Sequence, residues 1–187
     1  MRTVEEVLLR TDEKTRPQAE RDGDARPLRV CFVCTGNTCR SPMAEAVANA
    51  LAHKRLELLP EAVRDAVAPS VEAFSRGLWA SEGDPISPNA VLALEQAGVE
   101  PTASHDYHRH TARMLTESDA AGFDLLVGMS GSHAMEMMMR FPQLATRITC
   151  MPKPISDPFG GDLDRYKACL SEITEGVALL LDAGREM

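Results

Sequence analysis

The stretch Leu28-Arg29-Val30-Cys31-Phe32-Val33-Cys34-Thr35-Gly36-Asn37-Thr38-Cys39-Arg40-Ser41-Pro42 decides how the rest of the chain is read. Leu28 to Val33 is a near-continuous apolar run rich in β-formers, the pattern of a strand buried on both faces of a parallel sheet. A loop follows at once. Ser41 and Pro42 then supply a cap and first-turn signal for a helix, with Ala44, Val47, Ala48 and Leu51 on one helical face. The predicted order is strand, loop, helix.

The alternation continues outward from there. Val71 to Ser75 reads as a second strand, and Ser87-Pro88 opens a second helix that turns Val91, Leu92 and Leu94 inward and ends at Gly98. Asp124 to Ser130 and Arg147 to Met151 read as two further buried strands, separated by a helix through His133 to Met139. A last helix begins near Asp162, where Leu163, Tyr166, Leu170, Ile173, Val177, Leu180 and Leu181 keep helical spacing. Strands alternating with helices predict an α/β fold, a parallel sheet covered on both faces with its sites at the carboxyl ends of the strands. Upstream, Thr11 to Pro27 is charged, poor in large apolar residues and bracketed by Pro17 and Pro27, which predicts a flexible N-terminal extension over residues 1–27.

The 187 residues suit a single core that needs no staples. Lys and Arg total 20 against 28 Asp and Glu, a formal charge of -8, which argues against a nucleic-acid partner. No apolar run reaches membrane-spanning length, and Glu5, Glu6 and Arg10 break the signal-peptide pattern, so a cytoplasmic protein is expected. Five cysteines, with Cys31, Cys34 and Cys39 crowded together, read as thiols rather than a disulfide framework.

The loop from Cys34 to Ser41 lies between a buried strand and a helix N-terminus, where unpaired N–H groups and the helix dipole attract an anion. Successive N–H groups can curl inward as a nest, with Gly36 expected to take the backbone angle that a β-carbon resists. Arg40 offers a planar fork to two phosphate oxygens, and the field that draws phosphate also favours a nucleophilic thiolate at Cys34. The leaving group needs a proton. Asp157-Pro158-Phe159-Gly160-Gly161 follows the last strand and emerges on the same sheet edge as Cys34, so Asp157 is the candidate acid, and later the base that activates water.

With Cys34, five intervening residues, Arg40 and Ser41 near the start, and Asp157-Pro158 near the end, the chain resembles the low-molecular-weight protein tyrosine phosphatase family from about Leu28 to about Asp182. The resemblance implies a domain over residues 28–187, a doubly wound sandwich around a four-stranded parallel sheet of order 2-1-3-4, and no metal or organic cofactor. It implies Cys34, Arg40 and Asp157 as catalytic residues. Thr35, Gly36, Asn37, Thr38, Cys39 and Ser41 would surround the phosphate, with Ser41 stabilising the thiolate. Ser75 and His105 would support the loop, and Trp79 and Phe159 would flank the substrate. Ser75-Arg76-Gly77 replaces the family's Ser-Ala-Gly, and the segment from Leu56 to Ser70 is longer than usual.

Thr38 resembles the protein-arginine phosphatase branch, where tyrosine phosphatases carry a larger aliphatic residue; Tyr166-Lys167 resembles it too. A phosphorylated protein is therefore the expected partner, with phosphoarginine as substrate and phosphotyrosine as the alternative. An arsenate reductase would need a further relay cysteine between Cys39 and Cys150, and none is there. A non-catalytic phosphate-binding module would need neither Cys34 nor Asp157. Cys39 stands ready to trap an oxidised Cys34. His105, His108 and His110 lack the spacing of a metal site, and Met135, Met137, Met138 and Met139 are read as helix packing.

Overall fold

The computed structural model describes residues 26–57 and 71–183. The readings of residues 1–25 and 58–70 lie outside the described residues. Strand β1 (Leu28–Cys34) leads into helix α1 (Arg40–Glu57), followed by β2 (Val71–Gly77) and α2 (Pro88–Gln96). A short helix α3 (Glu117–Ala121) precedes β3 (Leu125–Gly128), then α4 (Gly131–Arg140), β4 (Ile148–Cys150) and α5 (Leu163–Ala183). The four strands form one parallel sheet in the order β2-β1-β3-β4, as expected.

Burial explains the layers. Successive side chains of β1 point to opposite faces. Val30, Phe32 and Cys34 join a core with α1, α2 and α5, including Met43, Leu94, Tyr166 and Ile173. Cys31 and Val33 join a second core with Leu115, Phe123, Met137 and Phe141. With β2 on one side of β1 and β3 on the other, the order reverses at β1, so the crevice at the carboxyl edge opens beside Cys34. Arg26 anchors the entry to β1, its guanidinium donating from both Nη atoms to the Asp124 carboxylate at 2.8 Å.

Three local expectations are corrected. Helix α1 begins at Arg40, with the Cys39 carbonyl accepting from Met43 N–H, so Ser41 sits inside the first turn and its hydroxyl is turned toward Cys34 instead of capping. In α2, a helix of 9 residues, Ala90, Ala93 and Leu94 face the core while Leu92 is exposed. On α4, Met137 is buried, but Met135 and Met139 are exposed, because one face of the helix looks outward. At Ser87 and Gly98 the expectations hold: Ser87 occupies the cap position of α2, and Gly98 closes it at φ 68°.

Candidate active site

The loop after β1 is shaped by bonds that hold its carbonyls outward. Cys34 O accepts from Leu78 N–H and Thr35 O from Trp79 N–H, both at 2.9 Å; Thr38 O accepts from Ser87 N–H at 2.8 Å. Asn37 O accepts from His110 Nε2 at 2.8 Å, which places that ring's proton on Nε2. In a trans peptide the N–H points opposite to the carbonyl before it. The same bonds therefore turn the N–H groups of Thr35, Gly36, Thr38 and Cys39 inward, toward the N-terminus of α1. This is an anion nest.

The left-handed residue of the nest is Asn37, at φ 57°, and not Gly36. Asparagine is among the few L-residues that tolerate this region, and a β-carbon at Gly36 would meet only Thr38 Oγ1, at 3.8 Å. Asn37 is wholly buried. Its Nδ2 donates to Ser41 Oγ at 3.0 Å and to Ser75 Oγ at 2.9 Å, and its Oδ1 accepts from Arg113 N–H at 2.9 Å. Gly77 is the second special position, because a β-carbon there would stand 2.8 Å from Thr35 O. Only a glycine lets the end of β2 approach the loop this closely.

Cys34 Sγ accepts from Asn37 N–H at 3.3 Å and lies 3.0 Å from Ser41 Oγ. Ser41 Oγ already accepts from Asn37, so its own hydrogen is available to the sulfur or to Arg76 O at 3.3 Å. Two donors can thus serve a thiolate. The relay continues from Ser75 Oγ, which donates to Glu45 Oε2 at 2.5 Å, to Glu45 Oε1, 3.3 Å from His105 Nδ1. The hydrogen bond to Glu45 raises the His105 pKa above its ordinary 6.5, against the effect of burial. His105 stands at the far end of this chain, while His110 touches the loop itself. Burial pushes the Cys31 thiol up and the Cys169 thiol up to about 12.

Arg40, the first residue of α1, extends its guanidinium to Asp157, with Nη2 2.6 Å from Oδ2. Asp157 Oδ1 accepts from Phe159 N–H at 3.1 Å, a local turn that holds the carboxyl at the mouth. The Arg40–Asp157 pair thus ties the segment after β4 to the loop after β1 that carries Cys34. Thr38, Cys39, Ser87, Asn89, Phe159 and Tyr166 border a recess of about 400 Å³ beside them. Burial first, then the bond to Cys39, pushes the Tyr166 pKa up to about 12, so its hydroxyl keeps its proton. It accepts from Ser87 Oγ at 3.0 Å and donates toward Cys39 Sγ at 3.2 Å. Trp79 and Phe159 are 65% and 76% exposed at the rim, and the Arg140 guanidinium covers the Trp79 ring at 4.2 Å.

The model of the family described as low molecular weight phosphotyrosine protein phosphatase matches residues 29–186. The chain belongs to that family. It is a cysteine-dependent protein phosphatase by membership. A protein-arginine-phosphatase of Geobacillus stearothermophilus is 31% identical over 154 residues, 79% of this chain and 89% of the relative. A low molecular weight protein-tyrosine-phosphatase of Streptomyces coelicolor is 33% identical over 175 residues, 84% and 94% of the two chains. Among solved structures, the YwlE arginine phosphatase from Geobacillus stearothermophilus superposes with a TM-score of 0.69 at 28% identity, covering 86% of this chain and 95% of that one.

The phosphatase loop has one further support that the sequence did not reveal. His133, buried on α4, places Nε2 3.1 Å from Thr35 Oγ1 and Nδ1 2.6 Å from Ser130 Oγ, the residue that caps α4. Burial, then the nearby Arg40 charge, holds its pKa below 6.5, so the ring is neutral near pH 7. Neither His133 nor His110 carries a local signal, since each meets the loop only through tertiary folding. Among the described residues no His, Cys, Asp or Glu group is arranged to hold a metal. His105, His108 and His110 go separately to Glu45, Asp106 and Asn37. All five cysteines are free thiols, and no helix among the described residues is long and apolar enough to cross a membrane.

Proposed function

We propose that this phosphatase removes phosphate from arginine side chains of proteins through a phosphocysteine at Cys34. The observation that carries the reading is the convergence of Cys34, the inward N–H groups and the Arg40–Asp157 pair in one crevice. Phosphate entering the nest gives the Arg40 fork new oxygen partners and releases the Asp157 carboxyl, which takes a proton from solvent and turns it toward the leaving atom. The Cys34 thiolate attacks phosphorus, the bond from phosphorus to the guanidino nitrogen breaks, and Asp157 delivers a proton to that nitrogen. Asp157, now a carboxylate, takes a proton from water as its oxygen attacks phosphorus. The P–S bond breaks, thiolate is regenerated, and phosphate departs.

Thr38 supports arginine as the carrier. It borders the recess with a short β-branched side chain, leaving room for a planar guanidinium, and a 31% identical relative is a protein-arginine-phosphatase. Phosphotyrosine is the second reading, favoured by the exposed rings of Trp79 and Phe159 and by the tyrosine phosphatase at 33% identity. A cytoplasmic location fits the lack of a spanning helix among the described residues. The test compares kcat/KM for phosphoarginine and phosphotyrosine peptides in the unaltered protein and in Thr38→Ile. The expected result is preference for phosphoarginine, with the ratio moving about tenfold toward tyrosine on substitution, or roughly 1.4 kcal/mol. Outright preference for phosphotyrosine, or an unchanged ratio, would replace the first reading by the second.

A further inference from the structure

A second cavity, of about 570 Å³, opens behind the loop, between β2 and the segment from Ala103 to Arg113. It does not include Cys34, Arg40 or Asp157. Its walls carry Arg29, Arg76, Arg109, Arg113 and His105, against the carboxylates of Glu45 and Asp106. In a chain of formal charge -8 such a concentration of cations is out of keeping with the average surface.

Among the described residues, the only buried side-chain nitrogen or oxygen atoms without a hydrogen-bond partner are Arg76 Nε and His105 Nε2, and both residues line this cavity. An arginine Nε always bears hydrogen, and His105 Nε2 bears one when the ring is protonated, the form that the neighbouring Glu45 and Glu72 carboxylates favour. His105 Nε2 has Glu72 Oε1 at 3.5 Å, an ion-pair contact without hydrogen-bond geometry. The rest of the Arg76 head is occupied, with Nη1 donating to Ser75 O at 2.8 Å, Nη2 3.6 Å from Asp119, and the guanidinium over the Phe123 ring. Arg29 donates to Gly122 O and stacks on Phe74. Arg109 reaches Asp106 only at 3.6 Å, and the Arg113 guanidinium makes no hydrogen bond or ion pair among the described residues. Buried donors left without acceptors are costly, and a ligand that supplies acceptors removes that cost.

We infer that this cavity is a second anion site, separate from the nest, that takes a small oxyanion of the phosphate class on Arg76, His105 and Arg113. A cationic ligand offers these donors nothing, whereas an oxyanion supplies acceptors and balances the Arg113 charge, which has no ion pair among the described residues. The cavity shares His105 and Glu45 with the relay that ends on Cys34, so an anion bound there acts on the hydrogen bonds of the thiol without entering the nest.

The test is equilibrium dialysis of the full chain against radiolabelled inorganic phosphate. Two sites per chain are expected. Arg40→Ala should remove the nest site and leave the cavity site. Arg76→Ala should remove the cavity site alone, and Arg113→Ala, which disturbs no other side-chain contact, should weaken it about tenfold, the scale of one charge-assisted bond. A single site that disappears with Arg40→Ala overturns the inference, as do two sites that ignore both cavity substitutions, or loss of both sites in Arg40→Ala. A single site that survives Arg40→Ala and yields to Arg113→Ala upholds the cavity and removes the nest from the account of function.

Discussion

Asn37→Ala is the substitution that probes the loop most deeply, because it separates backbone conformation from hydrogen bonding. At φ 57° an alanine pays the left-handed penalty of roughly 1–2 kcal/mol that asparagine largely escapes. Removing the side chain also strips Arg113 N–H of its acceptor and both Ser41 and Ser75 of a donor, at about 1–3 kcal/mol for the buried groups left unpaired. The sum is about 2–5 kcal/mol. Asn37→Gly loses the same bonds but adopts the angle freely, and after its entropic cost it should remain about 0.5–1 kcal/mol more stable than the alanine variant. Urea unfolding of the three proteins, compared at constant m, measures both differences. An alanine variant as stable as the glycine variant, or either one within 1 kcal/mol of the unaltered protein, would refute the reasoning.

Gly77→Ala forces a methyl to 2.8 Å from Thr35 O, so the loop must shift; the inhibition constant for phosphate should rise at least tenfold with about 1–3 kcal/mol of lost stability, both read from kinetics and urea titration. Asp157→Asn should lower kcat by roughly 10²–10⁴-fold for a poor leaving group, measured by steady-state turnover, while phosphate binding persists. The histidines give opposite pH signatures. His105 has a raised pKa, so its contribution to stability is complete below 6.5 and is lost as pH climbs through the folded value; His133 has a lowered pKa, so its contribution is complete above 6.5 and is lost as pH falls. Melting curves of His105→Gln and His133→Gln across pH 5 to 8 should flatten on the alkaline and the acid side respectively, and a common change on one side would contradict the assignments.

The strand-loop-helix reading was legible because a buried parallel strand leaves a continuous apolar run and a helix leaves a 3.6-residue spacing. Cys34 and Arg40 were legible because they share one short loop, and Asp157 because parallel topology brings the ends of β1 and β4 to one edge. What stayed hidden depends on distant partners. Asn37 takes the left-handed angle expected of Gly36 because its side chain is fixed by Ser41, Ser75 and Arg113, contacts up to 76 residues away. His110 and His133 reach the loop across 73 and 98 residues, and nothing next to either residue announces it. Leu92 and Met139 have core-forming chemistry but exposed positions, since their helices are too short for periodicity to settle the facing side.

The claim that stands at the centre is covalent transfer to Cys34. Rapid quenching of the protein in its first turnover with a phosphorylated arginine peptide, followed by peptide mapping in a mass spectrometer, tests it directly. Phosphate bound to sulfur is expected on the peptide that contains Cys34, formed before free phosphate appears and absent in Cys34→Ser. Turnover that proceeds with no phosphate on that peptide, or that persists in Cys34→Ser, would contradict it.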